Sequence, residues 1–94
     1  MKILATETEL KKLNAKTDSE ILKDEARAVL DLQQKDFLRE IYFDENHCAV
    51  VIMECDNKTE AEEILSELPL VKGGFIRFDI KELHLYTGFS RLIG

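Results

Sequence analysis

The chain has 94 residues, a formal net charge of −6, 45% hydrophobic residues, one proline and four glycines. That composition fits a single domain over residues 1–94 with one modest core, burying roughly 60–65% of the surface of the unfolded chain. The acidic balance excludes the basic surface that nucleic acids and anionic membranes select, and the longest unbroken apolar run, CAVVIM, falls far short of the roughly 20 residues of a membrane span.

The first residues, 1–5, suit a short strand, and residues 7–16 are polar enough to suggest a loop or a single helical turn. The segment Thr17-Asp18-Ser19-Glu20 has the form of a capping box, which predicts a helix over about 18–35. FLREIYF is rich in aromatic and β-branched residues and predicts a strand over 37–43. DENH makes a turn, and AVVIMEC predicts a second strand over 49–55 that pairs with the first as a hairpin. Asp56, Asn57 and Thr59 can cap a second helix, whose Ala61, Ile64, Leu65 and Leu68 keep the spacing of one buried stripe. Pro69 stops it, the Gly73–Gly74 pair turns the chain, and residues 75–83 form the last strand.

The resulting order, β-α-β-β-α-β, is the ferredoxin-like split pattern. Right-handed crossovers put both helices on one face of a four-stranded antiparallel sheet of order 4-1-3-2, an α+β fold. Cys48 and Cys55 lie seven positions apart on one strand, on opposite faces. No intrachain disulfide can join them there, and reduced thiols point to the cytoplasm. So does the N-terminus, MKILATETEL, which lacks the apolar stretch of a signal peptide.

The strand over 49–55 is apolar on both faces, with Ala49, Val51 and Met53 on one side and Val50 and Ile52 on the other. The helices cover one face. A second copy of the same sheet is the simplest cover for the other, because large exposed apolar patches are rare in monomers. The expectation is a homodimer packed sheet to sheet. In the last strand Ile76, Phe78 and Ile80 oppose Arg77, Asp79 and Lys81, the pattern of a half-covered edge. The apolar tail over 85–89 is expected to pack across the partner subunit.

One residue breaks the pattern of the first helix. Wound at about 3.6 residues per turn, Ile21, Leu22, Ala28, Val29 and Leu32 form a single apolar stripe, and Glu25 projects from its middle. A carboxylate withdrawn from water is neutralised, paired or functional. Desolvation would raise its pKa into a range useful for proton transfer. Arg39 is the candidate partner, as a structural ion pair or as an anion contact in a pocket, and Tyr42 and Tyr86 are candidate hydrogen-bond donors to a substrate. His47 reads as a solvated turn residue. His47 and His84 lack neighbours at metal-ligand spacing, so no metal and no cofactor is expected.

The segments KDEARAVLDL, REIYF, LPLVKGGFIRFDI and YTGF resemble the muconolactone Δ-isomerase-like proteins of the dimeric α+β barrel group. The resemblance spans about residues 22–92, and LPL after the second helix is its most specific element. The stretch over 7–16 differs from the isomerase proper, and YTGF is closer to small relatives of it. The resemblance implies a homodimer whose sheets close into a barrel, sometimes within a larger oligomer. It also implies a cofactor-free proton shift on a small lactone, organic acid or related carbonyl compound, with Glu25 at the family's helix carboxylate. The competing expectation is a non-catalytic module that binds a small ligand or serves as an oligomeric scaffold.

Overall fold

The first strand is longer than its composition suggests. In the computed structural model, which describes residues 1–93, β1 runs over Lys2–Glu9. The polar stretch after Ala5 continues the strand because alternation holds. Ile3, Ala5 and Glu7 face one side, while Leu4, Thr6 and Thr8 face the other. The expected loop therefore begins only after Glu9, a correction to the sequence reading.

The other elements are α1 (Ser19–Gln34), β2 (Leu38–Phe43), β3 (Ala49–Glu54), α2 (Lys58–Ser66), a short α3 (Pro69–Lys72) and β4 (Ile76–Leu83). A 3₁₀ turn over Gly88–Leu92 ends the described chain. The sheet is antiparallel, with order β2-β3-β1-β4, which is the expected 4-1-3-2 read from the other edge. The helices lie on one face. No helix among the described residues is long and apolar enough to cross a membrane.

The core lies between that face and the helices. Ile3, Val51 and Met53 are its largest fully buried side chains, with Ala61 and Leu65 of α2 and Leu68 against them. Each aliphatic side chain so buried contributes about 1.5–3 kcal/mol. The stripe on α1 is as expected. Ile21, Leu22, Glu25, Ala28, Val29 and Leu32 are half-covered, and Lys23, Arg27, Asp31 and Gln34 are exposed. Yet no residue of α1 is fully buried, because part of the space beneath it is a cavity.

The helix ends show which capping signals operate. Asn57 caps α2, its side chain accepting the Glu60 N–H at 2.8 Å. The capping box at Thr17–Glu20 does not form. Asp18 turns its carboxylate back to the Asn14 N–H at 2.7 Å and leaves α1 without a side-chain cap. At the other end of α1, Asp36 takes a φ of 67°. The Phe37 N–H then bonds to the Leu32 carbonyl and the Asp36 N–H to that of Gln33, closing a Schellman motif. α3 is framed by Pro69 at its first position and by Gly74 at a φ of 76°.

β2 departs from the unbroken alternation of a strand over 37–43. Its register against β3 shifts between Leu38 and Glu40, so Leu38 pairs with Met53 and Glu40 with Ile52. This bulge inserts one residue and breaks the alternation. Leu38, Ile41 and Phe43 consequently share the helix-side face, and Leu38 is buried there.

The face of the sheet away from the helices carries Leu4, Val50 and Ile52 at its centre and Tyr42 on the edge strand β2. β4 leads from it into an arm with five large apolar residues, Leu85, Tyr86, Phe89, Leu92 and Ile93, that are 69–93% exposed. The arm lengthens the molecule to 60 × 27 × 19 Å. The radius of gyration is 15.6 Å, against about 12 Å for a compact chain of this length.

Candidate functional site

A cavity of about 310 Å³ lies between α1, α3 and the helix-side face of the sheet. Its walls are apolar, built from Leu22 and Val29 of α1, Leu38 and Ile41 of β2, Val51 of β3 and Phe78 of β4. Three polar side chains join them: Glu25 of α1, Glu7 of β1 and His47 of the β2–β3 turn. The opening lies at the turn end of the sheet, where Phe43 and His47 are exposed.

Glu25 is held from the opposite side of the cavity. Its Oε1 accepts the backbone N–H of Leu70 at 3.0 Å. Pro69 has no N–H to offer, so Leu70 carries the first free donor of α3, one of the groups a helix start leaves unsatisfied. Burial raises the carboxyl pKa of Glu25, the Leu70 bond opposes that rise, and the negative charge of Glu7 adds to it. The balance is a carboxyl above its ordinary range. The second carboxylate oxygen has no protein partner among the described residues.

Glu7 reaches this site through the sheet register. The pairing of β1 with β3 ends at Thr6 opposite Val50. One step further, the Ala49 N–H donates to Glu7 Oε1 at 3.3 Å instead of to a backbone carbonyl. His47 takes a φ of 60°, a conformation that glycine adopts at less cost. Its ring stacks on Phe43 at 4.0 Å between centroids, which fixes the edge of the opening.

The other sequence-derived candidates do not join this constellation. The β2 bulge turns Arg39 to the outside, where it is exposed and its Nε donates to the Asp36 carbonyl at 2.8 Å. The anticipated pairing of Glu25 with Arg39 is replaced by the bond to Leu70. Tyr42 lies on the far face of the sheet, its hydroxyl donating to Glu40 Oε1 at 2.6 Å. Tyr86 lies in the arm, edge-on to Phe89 at 4.9 Å between centroids. A larger groove of about 680 Å³ runs between α2 and β4. It is open to solvent, and the charged groups along it, among them Lys58, Glu62 and Arg77, are exposed.

No family model matches the chain, and no curated protein sequence matches it. Solved structures do. Muconolactone isomerase superposes with a TM-score of 0.76 at 14% identity, over 93% of this chain and 92% of the other. The chain has the muconolactone isomerase fold. A 5-chloro-2-hydroxyhydroquinone dehydrochlorinase from Burkholderia phenoliruptrix, solved in complex with 2,5-dihydroxybenzoquinone, superposes with a TM-score of 0.67 at 11% identity, over 94% of this chain and 98% of the other.

Within this fold the cavity offers one kind of chemistry above others. An apolar space with two carboxyl groups in it, one of them raised, can take a proton from a weak carbon acid and return it elsewhere. Sequence reasoning misses Glu7 because it ends the first strand at Ala5. The continued alternation of Ile3, Ala5 and Glu7 was the signal. Nothing in the sequence marks His47, whose place follows from the turn conformation.

Proposed function

We propose that the cavity is an active site for cofactor-free proton transfer on a small carbonyl or lactone compound, with Glu25 as the acid and base. The observation that carries this reading is a half-buried carboxyl in an apolar cavity, pinned by one oxygen to Leu70. Glu25 would remove a proton from the carbon beside a carbonyl, breaking that C–H bond and leaving an enolate. It would then deliver a proton to the γ carbon, forming a new C–H bond, the carboxyl proton having exchanged with solvent between the two steps. Nothing is oxidised or reduced. Glu7, whose charge disfavours a second negative charge nearby, would strengthen Glu25 as the base that takes the proton.

The test is the conversion of α-angelica lactone to its conjugated β isomer, followed by NMR in deuterated buffer. Glu25→Gln should slow the proton shift by at least about 100-fold, the usual share of a general acid–base group, with the fold intact. No conversion or deuterium uptake by the wild-type protein across angelica lactones and muconolactone would end this reading.

The same reading includes self-association. The apolar far face of the sheet and the projecting arm favour a homodimer, packed face to face with each arm lying across its partner. Two cysteines too far apart to bridge suit a reducing compartment such as the cytoplasm.

A further inference from the structure

The charges around the cavity are one-sided. Glu7 and Glu25 line it, and among the described residues no lysine or arginine does; the basic side chain on its lining, His47, is exposed and stacked on Phe43 at the β2–β3 turn. Arg39 is turned outward to Asp36, and the Lys11 Nζ lies over the Phe75 ring, 4.2 Å from its centroid. The backbone donors beside the two carboxyl groups are already engaged, Leu70 by Glu25 and Ala49 by Glu7. An incoming carboxylate would thus give up its hydration for apolar walls, two acidic side chains and no free cation or backbone N–H at the carboxyl pair. Such a group is costly to bury without a partner.

Resting on the proton-transfer reading above, we propose that this site takes uncharged carbonyl compounds and rejects carboxylated ones, muconolactone included. A neutral lactone, enone or ketone needs only one donor for its carbonyl oxygen. The Glu25 carboxyl in its protonated form can be that donor, and burial together with the neighbouring charge of Glu7 raises its hold on the proton. Size narrows the class further. At about 30 Å³ per water in the liquid, the cavity has room for roughly ten non-hydrogen atoms. Selectivity here comes from what the cavity repels as much as from what it holds.

β-Angelica lactone and muconolactone form a matched pair, since they share an unsaturated lactone ring and differ by one carboxylate. Titration of each into the wild-type protein near neutral pH, read from the amide NMR signals of Leu70 and Ala49, compares them in the same site. The expected result is saturation by β-angelica lactone at a concentration at least tenfold lower than by muconolactone. Glu7→Gln, alone or combined with Glu25→Gln, should shrink that difference severalfold by removing the repelling charge. Equal or tighter binding of muconolactone overturns the proposal and leaves proton transfer standing, because deuterium uptake at the lactone ring tests that step separately. Binding of the neutral lactone without deuterium uptake supports the preference and removes the catalytic role. Failure of both lactones to move these signals overturns the preference as well.

Discussion

The carboxylate of Glu25 on α1 accepts the backbone N–H of Leu70 on α3, 45 residues along the chain, at 3.0 Å. This bond explains how a charged residue sits at the centre of an apolar stripe. It ties the helix above the cavity to the short helix that Pro69 starts, and it leaves one oxygen of the carboxyl uncommitted. The holding role and the chemical role proposed above would thus fall to one side chain, and different substitutions separate them.

Glu25→Gln keeps an oxygen that can accept the Leu70 N–H, so its melting temperature should stay within a few degrees of wild type. Glu25→Ala removes the acceptor and leaves that N–H unpaired in a half-buried place, which costs about 1–3 kcal/mol. For a domain of this size the loss lowers the melting temperature by about 4–8 °C per kcal/mol. Thermal unfolding followed by circular dichroism distinguishes the two. Equal destabilisation by both substitutions would mean that the charge, and not the hydrogen bond, holds the helices together.

The pH dependence of stability follows from the same group. Glu25 has a raised carboxyl pKa in the folded chain, against 4.5 for the unperturbed group. The folded protein therefore binds this proton more tightly than the unfolded chain does. Its stabilising contribution is complete below the ordinary carboxylate pKa and is lost as pH rises through the raised value. Melting temperatures of wild type and Glu25→Gln, measured from about pH 4 to 8, should diverge in that direction, with wild type falling relative to the variant as pH increases. Glu7→Gln should weaken the effect, since the charge of Glu7 is one source of the raised value.

Arg39→Ala should leave lactone turnover and lactone binding within about twofold of wild type, because the bulge points this side chain away from the cavity. Steady-state kinetics on an angelica lactone checks this, and a loss comparable to that of Glu25→Gln would return Arg39 to the site. The contrast shows what was legible in the sequence. Periodicity located Glu25 within the buried stripe, because a helix repeats regularly over four turns. It misplaced Arg39 because the bulge falls at Arg39 itself, so the alternation that holds for Ile41 and Phe43 does not extend back to it, and nothing in LREIYF marks the insertion. Topology was legible because element order and crossover handedness leave few choices. The Glu7–Ala49 bond was not, since it depends on where one strand outlasts its neighbour.

Asp36 ends α1 in a left-handed conformation, φ 67°, with its side chain exposed. Only its backbone engages the Schellman motif and Arg39. Asp36→Gly should therefore stabilise the protein by about 0.5–1 kcal/mol, because glycine meets no steric penalty there. A higher urea midpoint at unchanged slope is the expected observation, and a lower midpoint would show that the aspartate carboxylate makes a contribution the geometry does not reveal.

The arm gives the most direct measure of self-association. Leu85, Tyr86, Phe89, Leu92 and Ile93 hold more exposed apolar surface than a short solvated tail normally carries. The arm leaves β4 beside Lys2, at the end of the sheet opposite Glu7 and the cavity opening. Those two positions on β1 are about 17 Å apart at 3.3–3.4 Å per residue. The arm thus points away from the site of its own chain and is available to another copy. Truncation after His84 should leave the secondary structure intact, since the core lies elsewhere. It should lower the mass measured by light scattering at micromolar concentration from that of a dimer or larger assembly toward that of a monomer. Ile52→Asp, on the far face of the sheet, should act in the same direction through a different surface. A monomeric wild-type protein would overturn the dimer, and an unchanged assembly after both alterations would place the interface on neither the arm nor the open face.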